Sequence, residues 1–152
     1  MFKINRKLEY ALMGLKLMGE KHPGELTTVK EICDKHHAPF DVMARILQIL
    51  TQKGVLQSVH GAKGGYHIVK DLSRISLFEL STMILGSVGF AECLDDEHAC
   101  DLASECNVIS PIMHLQDRLK NLYQGISLKD LVVVQHKGEG KIRRACGETL
   151  VV

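Results

Sequence analysis

The sequence predicts a mainly α-helical protein with a small β-wing: a winged helix-turn-helix followed by a long dimerisation helix. Three observations carry that prediction. Between residues 27 and 53 a short helical pattern, a tight turn and a longer helical pattern follow one another. Two short alternating stretches joined by a glycine-rich turn come next. Farther on, Ile112, Leu115, Leu119 and Leu122 recur at helical spacing over a stretch longer than a small head needs for its own core.

Taken in order, residues 5–20 form the first helix, with Leu8, Leu12 and Leu15 on one face and His22, Pro23 and Gly24 ending it. Thr27 or Thr28 caps a second helix running to about Lys35, and Glu31 stands at capping-box spacing from Thr28. His36 to Pro39 make a tight connection. A third helix runs from Phe40 to Lys53, with Val42, Ile46, Ile49 and Leu50 as its apolar stripe and Gly54 as its stop. A short helix, a turn and a longer helix is the order of a helix-turn-helix, whose second member enters the major groove of DNA. VLQSVHG and GYHIV then read as a hairpin, and Gly61, Gly64 and Gly65 permit its tight turn. Ser76 caps a fourth helix, with Glu79 at the reciprocal position, and Gly86 or Gly89 ends it. Ser110 and Pro111 mark the start of the long helix, and Ser127 caps a last short one. The chain divides into a head over 1–75, a cysteine loop with dimerisation helices over 76–135, and a flexible tail over 136–152.

The 152 residues suffice for one sizeable core or for a small head with an oligomerisation element. No apolar run approaches the length of a membrane span, and the first residues interleave basic and apolar side chains without the compact block of a secretion signal. A cytoplasmic protein is expected. Five cysteines, an odd number, then read as metal ligands or free thiols rather than as a disulfide scaffold. Residues 1–70 carry a net charge of +5 and residues 71–152 a net −4. A basic head suits a polyanion bound at one end. An enzyme finds little support: the glycines of residues 61–65 lack the spacing of a phosphate-binding loop, and no nucleophile–base pair follows from spacing.

The face of the third helix opposite its apolar stripe offers Phe40, Asp41, Ala44, Arg45 and Gln48 to DNA. Arg45 suits a phosphate or a guanine edge, and Gln48 an adenine. At the wing, His60 and Lys63 sit among glycines that let the backbone approach the sugar-phosphate surface. Lys3, Arg6 and Lys7 are candidates for flanking phosphate contacts. For each of these, the plain alternative is a solvated helix or loop surface.

Cys93, Cys100 and Cys106 lie in a stretch holding six acids and neither lysine nor arginine. Neighbouring carboxylates disfavour thiolates unless a cation is bound, and a metal centre relieves that conflict. Zinc takes such ligands tetrahedrally, and iron–sulfur clusters are also held by thiolates, so spacing alone leaves the metal open. A fourth ligand is available in Asp95, Asp96, His98, Asp101 or His114, or in Glu9 of the first helix of either subunit. Cys33 has an apolar helical setting and reads as a core residue; Cys146 reads as a dangling thiol.

The segments KINRKLEYAL, LQILTQKGVLQSVHGAKGGYHI and DRLKNLYQGISLKDL, together with the three-cysteine loop, resemble the bacterial iron–sulfur winged-helix repressors of the IscR and NsrR type. The resemblance covers roughly residues 1–135. It implies a homodimer on palindromic double-stranded promoter DNA, with a cluster whose state sets DNA affinity in response to oxygen, nitric oxide, redox change or iron supply. It assigns Cys93, Cys100 and Cys106 as cluster ligands. The iron–sulfur biogenesis regulators place a histidine where this chain has Ile109. The nitric-oxide and redox sensors use an acidic residue near the start of the first helix, which matches Glu9, so Glu9 is the preferred fourth ligand. The first cysteine interval is one residue longer than the common pattern, which leaves nuclearity open, with [2Fe–2S] favoured and [4Fe–4S] next. The competing reading is a zinc-containing or metal-free winged-helix repressor with thiol-based sensing.

Overall fold

The structure, a computed structural model, describes residues 4–22, 24–86 and 105–133. Helix α1 spans Arg6–Gly19 and starts at Asn5, whose side-chain oxygen accepts the Lys7 N–H at 2.9 Å. Leu8, Ala11, Leu15 and Met18 form its buried face. α1 packs most closely on α3 (Phe40–Gln52), α4 (Leu77–Leu85) and α6 (Leu128–Val133), and also touches α2 (Val29–His36). The approach to α3 is close at Gly14, where even an added methyl group would already touch Leu47, Ile32 and Met43 at 3.6–3.8 Å.

Helix α2 spans Val29–His36 and is capped by Thr28, whose hydroxyl accepts the Glu31 N–H at 3.1 Å. The capping box expected here is only half made. The Glu31 carboxylate turns instead to Lys21, whose Nζ donates to it at 2.7 Å and to the Leu26 carbonyl at 3.0 Å, tying the end of α1 to the start of α2. His37 adopts a left-handed backbone, φ 52°, and so turns the chain into α3. α3 buries Met43, Ile46, Leu47 and Leu50, while Val42 and Ile49 are half-buried. Its end is a Schellman motif. Gly54, at φ 69°, donates to the Thr51 carbonyl at 3.0 Å, and Val55 donates to the Leu50 carbonyl at 2.9 Å.

That cap aims the chain into the wing. Strands β1 (Leu56–Val59) and β2 (Gly65–Ile68) pair antiparallel, with Leu56 opposite Ile68 and Val59 opposite Gly65. Val55, expected in the first strand, precedes it. Thr27 extends the sheet by one residue: it and Tyr66 exchange both backbone hydrogen bonds at 2.9 Å. A short 3-10 turn over Leu72–Arg74 leads to α4. There the capping box is complete, with the Glu79 N–H donating to the Ser76 hydroxyl at 3.1 Å and the Ser76 N–H to the Glu79 carboxylate at 2.7 Å. Gly86 ends α4, as expected.

Helix α5 spans Ile109–Gln124 and corrects its expected start. Ser110 is not the cap, and Pro111 is the third helical residue rather than the first. The first α-helical bond runs from Ile112 N–H to the Val108 carbonyl at 3.0 Å, so the N–H that proline lacks has no partner to lose. α6 is held by Ser127, whose hydroxyl accepts the Asp130 N–H at 3.2 Å. Two backbone bonds, Leu77 N–H to Ile126 at 2.8 Å and Leu128 N–H to Ile75 at 2.9 Å, fasten its start to that of α4. The core runs from Leu8 and Leu15 through Ile32, Met43, Leu47, Val55 and Leu80 to Leu128. Among the described residues no helix is long and apolar enough to cross a membrane. The expected tail over 136–152, with Cys146, lies outside them.

The wing turn sets a testable constraint. A Cβ on Gly64 would fall inside the van der Waals radius of the Val59 carbonyl oxygen, with no flexible side chain there to yield. Gly64→Ala is therefore expected to destabilise the protein by about 2 kcal/mol, read as a lower urea midpoint. An unchanged midpoint would show that the turn relaxes freely.

Candidate nucleic-acid interface

The apolar stripe of α3 is pinned to α1 and α2, so its polar face is turned outward. Asp41, Arg45 and Gln48 are exposed and Ala44 half-exposed along that face. Opposite them stands the wing. Together they enclose an open groove of about 930 Å³, whose far wall is Ser58, His60 and Tyr66. The structure thus brings Asp41, Ala44, Arg45, Gln48 and His60 to one groove. Phe40, 56 % exposed at the head of α3, faces a separate cleft of about 350 Å³ with Lys30, His60 and Gly61. Lys63 is exposed at the wing tip and lines neither. Arg6 is exposed on α1 and also lines neither; Lys3 lies outside the described residues.

Gln52, Ser58, Tyr66 and Lys30 are among the lining residues that were not expected as contacts. Gln52 follows Gln48 by one helical turn, so its place was readable from periodicity. Ser58 and Tyr66 depend on how the hairpin is oriented, and Lys30 on how α2 meets it. The hairpin's orientation in turn rests on Gly65, where a Cβ would stand 2.9 Å from the Thr27 carbonyl oxygen.

Cys106 is a free, half-buried thiol three positions before α5. Cys93 and Cys100 lie outside the described residues, as do Asp95, Asp96, His98 and Asp101. His114 is exposed on α5, and Ile109 is that helix's first residue. Glu9 sits half-exposed in the first turn of α1, and its carboxylate accepts from Arg6 Nη1 at 3.0 Å. Among the described residues no three histidine, cysteine or acidic side chains gather within reach of a metal. Cys33 is half-buried against the core. Burial first, and the Asp34 carboxylate second, push its thiol pKa up, which keeps it protonated and makes it a poor metal ligand.

α5 buries none of its residues. Val108, Ile112, Leu115, Leu119 and Leu122 alternate four and three apart, the spacing of a coiled-coil seam. Leu115 and Leu122 are 55 % and 57 % exposed. The helix is held to α4, where Lys120 Nζ stands 5.4 Å from the Phe78 ring centre.

Residues 4–133 match the family Rrf2, described as an iron-dependent transcriptional regulator. The chain is 22 % identical over 107 residues to the HTH-type transcriptional regulator NsrR of Bacillus subtilis, covering 70 % of this chain and 73 % of that protein. It is 26 % identical over 122 residues to the regulator IscR of Escherichia coli O1:K1, covering 80 % and 73 %. Among solved structures, CymR, the global cysteine regulator of B. subtilis, superposes with a TM-score of 0.65 at 23 % identity, covering 87 % of this chain and 97 % of that one. This last likeness is one of fold, and it bears out the winged helix.

The Arg6–Glu9 pair is exposed, and such pairs contribute about 0–1 kcal/mol. Glu9→Gln is accordingly expected to leave the unfolding midpoint nearly unchanged. A large loss in thermal melts would make Glu9 a structural element of the head.

Proposed function

The chain belongs to the Rrf2 family of transcriptional regulators, and on that premise we propose that it is an iron–sulfur cluster-dependent repressor that binds palindromic promoter DNA as a homodimer. The single observation that supports this reading best is the position of α1. It carries Glu9 at its start and lies against α3, the helix that presents Arg45 and Gln48. A ligand at Glu9 would therefore bear on the DNA-reading helix through one packed contact.

The donor set fits such a group. Three thiolates, Cys93, Cys100 and Cys106, and the Glu9 carboxylate supply four ligands to iron, with [2Fe–2S] favoured over [4Fe–4S]. When bound, the cluster supplies a redox- and nitric-oxide-sensitive centre. The protein's own residues do the rest. Asp41, Ala44, Arg45 and Gln48 enter the major groove, with Phe40 at their edge. His60 and Lys63 carry the wing to the backbone, and Lys3 and Arg6 add flanking phosphate contacts. The exposed seam of α5 pairs with its copy in a second subunit and fixes the separation of the two reading heads.

Anaerobic reconstitution with iron and sulfide tests the reading. Brown protein with matched iron and sulfide, an altered spectrum in Glu9→Gln and in Cys106→Ser, and different DNA affinity with and without the cluster are expected. Colourless protein containing zinc, or thiol oxidation alone changing DNA binding, would favour the cluster-free alternative. Equal affinity in the loaded and cluster-free states would remove the sensing role.

The seam is tested separately. Leu115→Asp with Leu122→Asp is expected to give a monomer on sedimentation with the far-ultraviolet helix signal kept. It should weaken DNA binding by about 10³-fold or more, because the two half-sites lose their linkage. A double variant that stays dimeric would move the interface elsewhere.

A further inference from the structure

Behind the reading face of α3 lies a second cleft, of about 420 Å³, between the first turn of α1, α3 and the last turn of α4. Its size falls in the range of small-molecule sites. Its floor is aliphatic: Val42, Ile46 and Ile49 from α3 and Ile84 from α4. Its mouth carries Lys7 and Arg45, with Asp41 as the one acid. Among the described residues neither cation has an ion-pair partner within 4.0 Å. We propose that this cleft binds a small aliphatic monocarboxylate, which lays its chain on the isoleucines and its carboxylate between Lys7 and Arg45.

The charge count selects the class. Lys7 and Arg45 are both exposed, and a carboxylate would take up the attraction of this ammonium and this guanidinium where an uncharged chain would not. A second carboxylate would meet Asp41. Arg45, Asp41 and Ile49 also line the DNA groove, so the two ligands share residues. A carboxylate on the Arg45 guanidinium removes it from DNA, and by linkage DNA removes it from the carboxylate. Occupancy therefore lowers DNA affinity by a route separate from the cysteines. This last step rests on the DNA-binding reading; the site itself does not.

Octanoate is the probe. Titrated into the full-length protein without DNA, it is expected to bind saturably at one site per subunit, with octan-1-ol weaker by about tenfold or more. Ile84→Phe, which fills the floor, and Lys7→Gln, which removes one cation and leaves the core alone, should each weaken octanoate about tenfold. Octanoate should also release a duplex selected from a random library by the protein itself, and release it less readily from Lys7→Gln. No saturable binding, binding that survives both substitutions, or octan-1-ol binding as tightly would overturn the proposal. So would conversion of dimer to monomer by octanoate, which would show a second copy of the chain covering the cleft. If the protein selects no duplex, the DNA-binding reading fails and the DNA-free titration still decides the site.

Discussion

The fold depends on the burial of one face of α1. Leu8, Ala11, Leu15 and Met18 are buried where α1 packs on α2, α3, α4 and α6, and each large aliphatic so buried contributes about 1.5–3 kcal/mol. Among the described residues α1 and α4 both touch α3 and an element that follows the wing, and α1 touches α4 and α6 together. At Gly14 α1 is packed against Leu47, Ile32 and Met43, so a displacement of α1 bears directly on the buried side of α3. The wing is bound into the same body by the Thr27–Tyr66 pair, which connects the chain ahead of α2 to the second strand.

What could be read from the sequence was what acts over three or four residues. Thr28, Ser76 and Ser127 cap helices, and Gly54 and Gly86 stop them, because each makes its contact within its own turn. Glu31 is the instructive exception. Its spacing from Thr28 promised a reciprocal bond, but Lys21, ten positions upstream, offers a charged and partly buried donor that a backbone N–H does not match. Pro111 misplaced the start of α5 for a related reason: a proline is tolerated anywhere in the first helical turn, so it marks a region rather than a residue.

The candidate site was legible in the same uneven way. Burying Met43, Ile46, Leu47 and Leu50 leaves Asp41, Arg45 and Gln48 outside, so one wall of the groove follows from periodicity alone. The opposite wall does not, because Ser58 and Tyr66 reach it only once Gly65 has let β2 lie against Thr27. The cysteine set rests on residue type and interval alone, since only Cys106 of the three lies among the described residues. The seam of α5 was legible as a stripe, and the structure adds that its own chain leaves Leu115 and Leu122 uncovered.

The paired backbone bonds between the starts of α4 and α6 have a consequence for how this architecture varies. Leu77 bonding to Ile126, and Leu128 to Ile75, close the base of everything between them. In the chain order the cysteine stretch lies between α4 and α5, within the segment that this clasp of two bonds closes. Lengthening such a closed loop costs little, about 0.6 kcal/mol for a full doubling. Insertions between α4 and α5 leave the clasp itself untouched. The clasp therefore holds whatever the length of chain between α4 and α5, and a cysteine interval longer by one residue need not disturb it.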